Sequence, residues 1–211
     1  MTNSIDTIFN PTSIAIVGAT NRPQSVGQAV IRNLIQGEYQ GVLSPVHPTL
    51  KSIFGLKAYK RLGDIPDPVD LVIIIIKPEM VPAVMEDAAR KGISSAVVIT
   101  AGFKEVGGKG AVLEKRIQEL AGHHRIRLVG PNCLGVINTA ADVRMNASFA
   151  RKMPRTGNIA FISQSGALCT SVLDYAEGRK IGFSKFISFG NKADINEIDL
   201  LRYLGEDPAT K

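Results

Sequence analysis

Ser13-Ile14-Ala15-Ile16-Val17-Gly18-Ala19-Thr20, continuing through Asn21-Arg22-Pro23-Gln24-Ser25-Val26-Gly27, is the stretch that decides the fold of this chain. A short run rich in β-branched side chains stops at a glycine, the pattern of a buried strand that ends in a tight turn. Beyond the turn, Val26, Ala29, Val30 and Leu34 recur at helical spacing, and Gly37 closes the run. A strand feeding a helix through a glycine turn aims the helix's unpaired N–H groups, at the positive end of its dipole, toward any anion bound there. The spacing is not G-x-G-x-x-G, the pattern of a dinucleotide site. The second glycine comes late, and the longer turn leaves room for a bulkier phosphate ligand.

The same alternation continues outward. Residues 41–48, Gly-Val-Leu-Ser-Pro-Val-His-Pro, read as a short strand running into a proline-stiffened loop. Residues 69–76 are an apolar strand of the kind buried on both faces, stopped by Lys77-Pro78. The helix after it carries Met80, Val81, Val84, Met85 and Ala88 on one stripe and ends at Gly92. Residues 95–100 form the next strand, closed by Ala101-Gly102-Phe103. A glycine-rich start at 107–110 leads into a helix with Leu113, Ile117, Leu120 and Ala121 inward. Arg127-Leu128-Val129 is a brief last strand. Residues 1–138 therefore read as a Rossmann-like, doubly wound parallel α/β domain.

Periodicity fades over residues 139–156, where Arg144, Arg151, Lys152, Pro154 and Arg155 suggest a basic, irregular connector. A new cycle follows: a strand at 158–162, the turn Ser163-Gln164-Ser165-Gly166, and a helix marked by Leu168, Val172, Leu173 and Ala176. A strand at 183–189, the exit loop 190–194 and a helix carrying Ile198, Leu201 and Leu204 complete it. Two strands are few when most sheets have about four to six. Residues 157–211 are accordingly expected to be the first part of a flavodoxin-like α/β domain, cut off at Lys211.

The chain has 211 residues, 45% hydrophobic and 21% charged, ordinary values for a globular protein with a sizeable core. The net charge of +6 suits an anionic ligand or partner. A nucleic-acid partner is not expected, because the basic residues are scattered and no zinc-finger spacing or basic–aromatic block occurs. Cys133 and Cys169 stand far apart without C-x-x-C, so neither a disulfide framework nor a metal site is expected. The polar N-terminus lacks a signal-peptide pattern, and the longest apolar run is too short to cross a bilayer. The expected location is the cytoplasm, with no membrane partner.

In an open α/β sheet, ligands sit beyond the carboxyl ends of the strands. The unusual loops at 18–27, 44–48, 77–78, 100–103 and 130–136 all follow such ends, so together they could wrap one extended ligand. Val17-Gly18-Ala19-Thr20, Ser44-Pro45-Val46-His47-Pro48, Thr100-Ala101-Gly102-Phe103, Gly130-Pro131-Asn132-Cys133-Leu134-Gly135 and Ser163-Gln164-Ser165-Gly166-Ala167-Leu168 occur in this order. With these motifs the chain resembles the N-terminal part of the NDP-forming acyl-CoA synthetases, the ADP-forming acetate–CoA ligase type. It is also similar to the succinyl-CoA synthetase α subunit.

That resemblance implies a coenzyme A site in the first domain. Gly18, Ala19, Thr20 and the turn containing Arg22 and Ser25 would meet the CoA phosphates. Val46 and Pro48 would line the adenosine end, where His47 replaces the family's asparagine. Lys77, Pro78, Thr100, Ala101 and Gly102 would flank the pantetheine, with Asn132 and Cys133 near the thiol. Ser163, Gln164, Ser165 and Gly166 would form a phosphohistidine pocket at a helix start. The plainer alternative is that Ser163 or Ser165 only caps that helix. A serine nucleophile is disfavoured, since the G-x-S-x-G pattern is missing.

The three histidines, His47, His123 and His124, do not match the family's phosphorylated position, which the resemblance puts beyond residue 211. No catalytic residue is therefore expected in the chain itself. ATP or ADP, with Mg, would bind a separate ATP-grasp domain or β subunit, and a small carboxylic acid would be the second substrate. A CoA-binding regulatory module of a GNAT-fused protein acetyltransferase is the alternative. A NAD(H)-binding regulator is weaker still, because Ser44-Pro45 stands where an acidic ribose-binding residue would close the second strand. A side chain larger than hydrogen at Gly18 is expected to block the ligand and leave the fold intact.

Overall fold

The computed structural model describes residues 5–211; the reading of the N-terminus over residues 1–4 lies outside the described residues. The elements are α1 (Asp6–Phe9), β1 (Ser13–Val17), α2 (Val26–Gln36), β2 (Val42–Val46), β3 (Ser52–Ile53), β4 (Leu56–Lys57) and β5 (Leu71–Ile74). Next come α3 (Val81–Lys91), β6 (Ser95–Val98), α4 (Gly108–His124), β7 (Arg127–Val129), β8 (Gly135–Asn138) and β9 (Met145–Ser148). The last are β10 (Thr156–Ser163), α5 (Gly166–Arg179), β11 (Phe183–Ser188) and α6 (Glu197–Gly205).

The first sheet is parallel throughout, in the order β2-β1-β5-β6-β7. The chain crosses outward from β1 in one direction to β2 and in the other to β5, so the strand order reverses at β1/β5. Loops leaving those two strands diverge and open a crevice at the carboxyl edge. Alternation along the strands explains the burial. Ile14, Ile16, Leu71 and Ile73 point into one core with α1 and α2, while Ala15, Val17, Val72 and Ile74 point into another with α3 and α4.

The second sheet is mixed, in the order β10-β11-β8-β9, with β10 and β11 parallel and the other pairs antiparallel. It has four strands, not the two expected. Gly135–Asn138, at the end of the first unit, pairs with β11 of the second sheet, at Val136 with Ile187. The stretch read as an irregular connector contains β9, all four residues of which are buried. Asn146 and Ser148 there are polar yet fully buried, with Ser148 Oγ donating to Asn146 Oδ1 at 2.6 Å. Their polarity hid the strand from a hydrophobic-pattern reading.

Three smaller expectations also change. Met80 belongs to a 3-10 turn and is 55% exposed. On α6 the buried residues are Leu200 and Leu204, while Ile198 and Leu201 face out. On α5, Cys169 takes the inward place and Leu168 is exposed.

One core joins the two sheets. Val136, Met145, Ala147 and Ile187 of the second sheet pack with Ile31, Leu34 and Ile73 of the first unit. Phe9 stacks on Tyr203 of α6 with centroids 4.8 Å apart, and Asn138 Nδ2 donates to the Phe9 carbonyl at 2.9 Å. On the far side, Phe161, Phe183 and Phe186 form an aromatic cluster in the core beneath α5. Among the described residues, no helix is long and apolar enough to cross a membrane.

Candidate functional site

Because β1, β5, β6 and β7 run parallel, their exit loops converge on one edge of the sheet. The N-terminus of α5, from the second unit, faces the same edge. A cleft of about 750 Å³ lies between them. Ile75, Ile76, Pro78, Thr100, Ala101, Asn132 and Cys133 line it from the first unit, and Gln164, Ser165 and Gly166 from the second. A neighbouring groove of about 470 Å³ runs along the start of α2, lined by Ser25, Gln28 and Arg32 among others, and shares Val26 and Phe149 with the cleft.

The structure therefore brings Pro78, Thr100, Ala101, Asn132 and Cys133 together with Gln164, Ser165 and Gly166. Lys77 is exposed beside Pro78, and Gly102 lies against the Pro78 ring. Gly18, Ala19, Thr20, Arg22, Val46, Pro48 and Ser163 are not in the cleft lining. The residues nearest the expected phosphate site are partly committed to holding the turn. Gly18 donates its N–H to the Val46 carbonyl at 3.1 Å, and Ala19 is fully buried. Thr20 Oγ1 accepts from the Arg22 N–H at 3.1 Å. Ser25 caps α2, accepting from the Gln28 N–H at 3.2 Å and donating to the Arg22 carbonyl at 2.8 Å. Arg22 is exposed.

At the end of β2, Val46 is buried and Pro48 exposed. His47 takes over a loop-holding job that an asparagine side chain performs well. Its Nδ1 accepts from the Thr49 N–H at 3.3 Å and the Leu50 N–H at 3.2 Å.

Thr100 ties two exit loops together, its Oγ1 accepting from the Ile76 N–H at 3.2 Å and donating to the Ile76 carbonyl at 2.9 Å. Asn132 has a left-handed backbone (φ 57°) and donates its N–H to the Thr100 carbonyl at 2.9 Å. Cys133 is buried, with its Sγ 3.4 Å from the Val98 carbonyl. Burial is the main cause that pushes its thiol up to about 12.

Across the cleft, Ser163 Oγ accepts from the Ser165 N–H at 3.1 Å, and Ser165 Oγ caps α5 by accepting from the Leu168 N–H at 3.2 Å. Gln164 Nε2 donates to Glu197 Oε1 at 3.1 Å. Gly166 has no neighbour closer than 4.0 Å to where a Cβ would stand, which leaves open space at the first turn of the helix.

Sequence reasoning missed the polar hub that holds the two units in register. Asn191, read only as part of an exit loop, is buried and donates from Nδ2 to Glu105 Oε2 and Glu114 Oε2, both at 2.7 Å. Lys104 Nζ lies 3.0 Å from Glu114 Oε1, and Asn132 Nδ2 donates to Asn191 Oδ1 at 3.3 Å. Burial acts to raise the Glu105 carboxyl, but the Asn191 amide and the N–H groups of Gly102 and Phe103 outweigh it and hold it below the usual range. The only local hint was Gly190, whose positive φ of 53° and absent Cβ let the loop approach the Pro131 carbonyl.

A family model described as "CoA binding domain" matches residues 12–139, which contain the whole first sheet and the rim loops just described. The chain belongs to the CoA-binding domain family. A second model, "Succinyl-CoA ligase like flavodoxin domain", matches residues 156–211.

This CoA-binding domain protein is 45% identical over 204 residues to an ADP-forming acetate–CoA ligase of Methanocaldococcus jannaschii, covering 97% of this chain and 28% of the relative. It is 40% identical over 204 residues to an ADP-forming 4-hydroxybutyrate–CoA ligase of Nitrosopumilus maritimus, covering 97% of the chain and 29% of the relative. Among solved structures, a dinucleotide-forming acetyl-coenzyme A synthetase 1 of Ca. Korarchaeum cryptofilum, in complex with phosphate and ADP, superposes with a TM-score of 0.93. The two are 40% identical, over 98% of this chain and 44% of that one. The chain thus spans less than half the length of these relatives. The doubly wound α/β fold followed by a flavodoxin-like unit, and the likeness to ADP-forming CoA ligases, agree with the sequence reading.

Proposed function

We propose that this chain is the CoA-binding part of an ADP-forming acyl-CoA ligase, which interconverts acyl-CoA + ADP + phosphate with acid + CoA + ATP. The observation that carries the reading is the meeting of the Asn132-Cys133 turn and the start of α5 in one cleft. A carrier thiol held by the first would lie beside a phosphoryl group received by the second.

Each part suits its proposed role. Ile75, Ile76, Pro78 and Ile99 give the cleft an apolar wall for the pantetheine arm, with Lys77 and Gly102 at its margin. The rim over residues 18–25, with Arg22, would meet the diphosphate through main-chain amides and charge. In this reading Gly18, Ala19, Thr20 and Ser25 shape that turn, while Val46 and Pro48 border the adenosine end. At α5 the free N–H groups of the first turn, near Gly166, suit a doubly charged phosphoryl group. Ser163, Gln164 and Ser165 hold that turn in place. The phosphorylated histidine, and the ATP-grasp part with its Mg and ADP, would come from a further segment or a β subunit.

Calorimetric titration of the chain with CoA and with NADH tests the reading. Heat from CoA at one site and none from NADH is the expected outcome. Binding of NADH without CoA would replace the ligase reading with that of a dinucleotide-binding regulator.

A further inference from the structure

Phe149 is left 38% exposed where the cleft and the α2 groove meet. Its main chain is held firmly. Asn33 of α2, itself buried, donates from Nδ2 to the carbonyls of Ser148 at 2.8 Å and Ala150 at 2.6 Å, the residues on either side of it. The Phe149 N–H donates to the Leu134 carbonyl at 3.3 Å. More than a third of the Phe149 surface is thus left open to solvent, apolar area that a ligand packed on it would bury. Here hydrogen bonds to both flanking residues and from the Phe149 N–H fix the backbone that carries the ring. The result is a preformed wall that loses little freedom when a ligand packs on it.

The two spaces that Phe149 borders differ in chemistry. The α2 groove carries Gln24, Ser25, Gln28 and Arg32, polar and cationic groups suited to phosphates. The cleft carries no charged side chain among the described residues lining it, and Val26 and Leu134 lie with Phe149 in its lining. Beside Phe149, Val26 and Leu134 a hydrocarbon group fits better than an anion does.

We propose that Phe149 limits the size of the uncharged acyl group this chain accepts on the carrier thiol. The inference rests on the CoA reading above. An acyl group passing between the thiol and a phosphoryl group must lie between the Asn132-Cys133 turn and the start of α5. Phe149 lies in the same lining, bonded through its N–H to the residue after Cys133. Asn33 is the positioning residue that keeps the wall there.

The test is calorimetry with CoA, acetyl-CoA and phenylacetyl-CoA on the wild-type chain, Phe149→Ala and Phe149→Leu. Phe149→Ala should raise the affinity for phenylacetyl-CoA relative to acetyl-CoA about tenfold, over and above any change common to all three ligands. Phe149→Leu should shift the ratio in the same direction by less, and it carries the test if the alanine variant fails to fold. An unchanged ratio, or an equal loss for all three ligands, overturns the proposal. A wild-type chain that binds none of the three fails the CoA reading itself, a separate result.

Discussion

Gly18→Val should give a chain that does not hold its fold, with a loss of about 4 kcal/mol or more, a large part of the total stability of an ordinary domain. A Cβ at Gly18 would stand 2.0 Å from the Ile75 carbonyl oxygen, and the residue has φ +95°, where a β-branched side chain is strained. The neighbouring backbone has no room to yield. Gly18 donates to Val46 while Ile75 donates to Val17, so the three strand ends are bonded together at that point. This corrects the expectation that a side chain there would block the ligand and spare the fold. Urea denaturation followed by circular dichroism checks it. A variant that unfolds at the wild-type midpoint and has lost only ligand binding would show that the loop moves freely from β5.

Asp207→Ala should be the next most damaging change, at roughly 3–5 kcal/mol, because it leaves a lysine charge buried without its partner. Lys185 and Asp207 have side chains 3% and 9% exposed, with Nζ 2.7 Å from Oδ2. Thr210 Oγ1 donates to the same oxygen at 2.6 Å, and the ammonium lies 5.8 Å from the Tyr203 ring centroid. Replacing both partners at once, Lys185→Met with Asp207→Leu, should recover most of the loss.

The same pair carries a pH dependence. Burial acts to raise the Asp207 carboxyl, but the bonds from Lys185 and Thr210 outweigh it and hold the carboxyl below its ordinary value. A carboxylate lowered in the folded state stabilises fully above its unfolded value, and that stability is lost as pH falls through the folded value. The wild-type urea midpoint should therefore fall on acidification, and that of the double variant should fall less. A loss under about 1 kcal/mol in Asp207→Ala, the scale of an exposed pair, would mean the ions are solvated.

The parallel first sheet was legible because its strands are short apolar runs ended by glycine or proline, and its helices show one clear apolar face. Ile14 and Ile16 against Ala15 and Val17 illustrate how strand alternation serves two cores. The second sheet was only half legible. Strand β9 satisfies Asn146 and Ser148 partly through each other, and the Ser148 carbonyl through Asn33, which lies 115 residues away in sequence. No local pattern records such a partner. The motif residues Asn132 and Cys133 and those at α5 were legible as loops, but their meeting in one cleft depends on β8 crossing to the second sheet. The Asn191 hub was illegible for the same reason, since its carboxylate partners lie 86 and 77 residues away. Phe149 lies in the stretch read as an irregular connector, and no local pattern marks it.

We propose that the carboxyl edge of the first sheet and the start of α5 enclose a CoA thiol between them. A crystal structure of the chain soaked with CoA tests it most directly. The diphosphate is expected against residues 18–25 and the sulfur inside the cleft, between Asn132 and Gly166. CoA bound on another face, or a cleft that stays empty while a dinucleotide lies across the β1/β5 crevice, would contradict it.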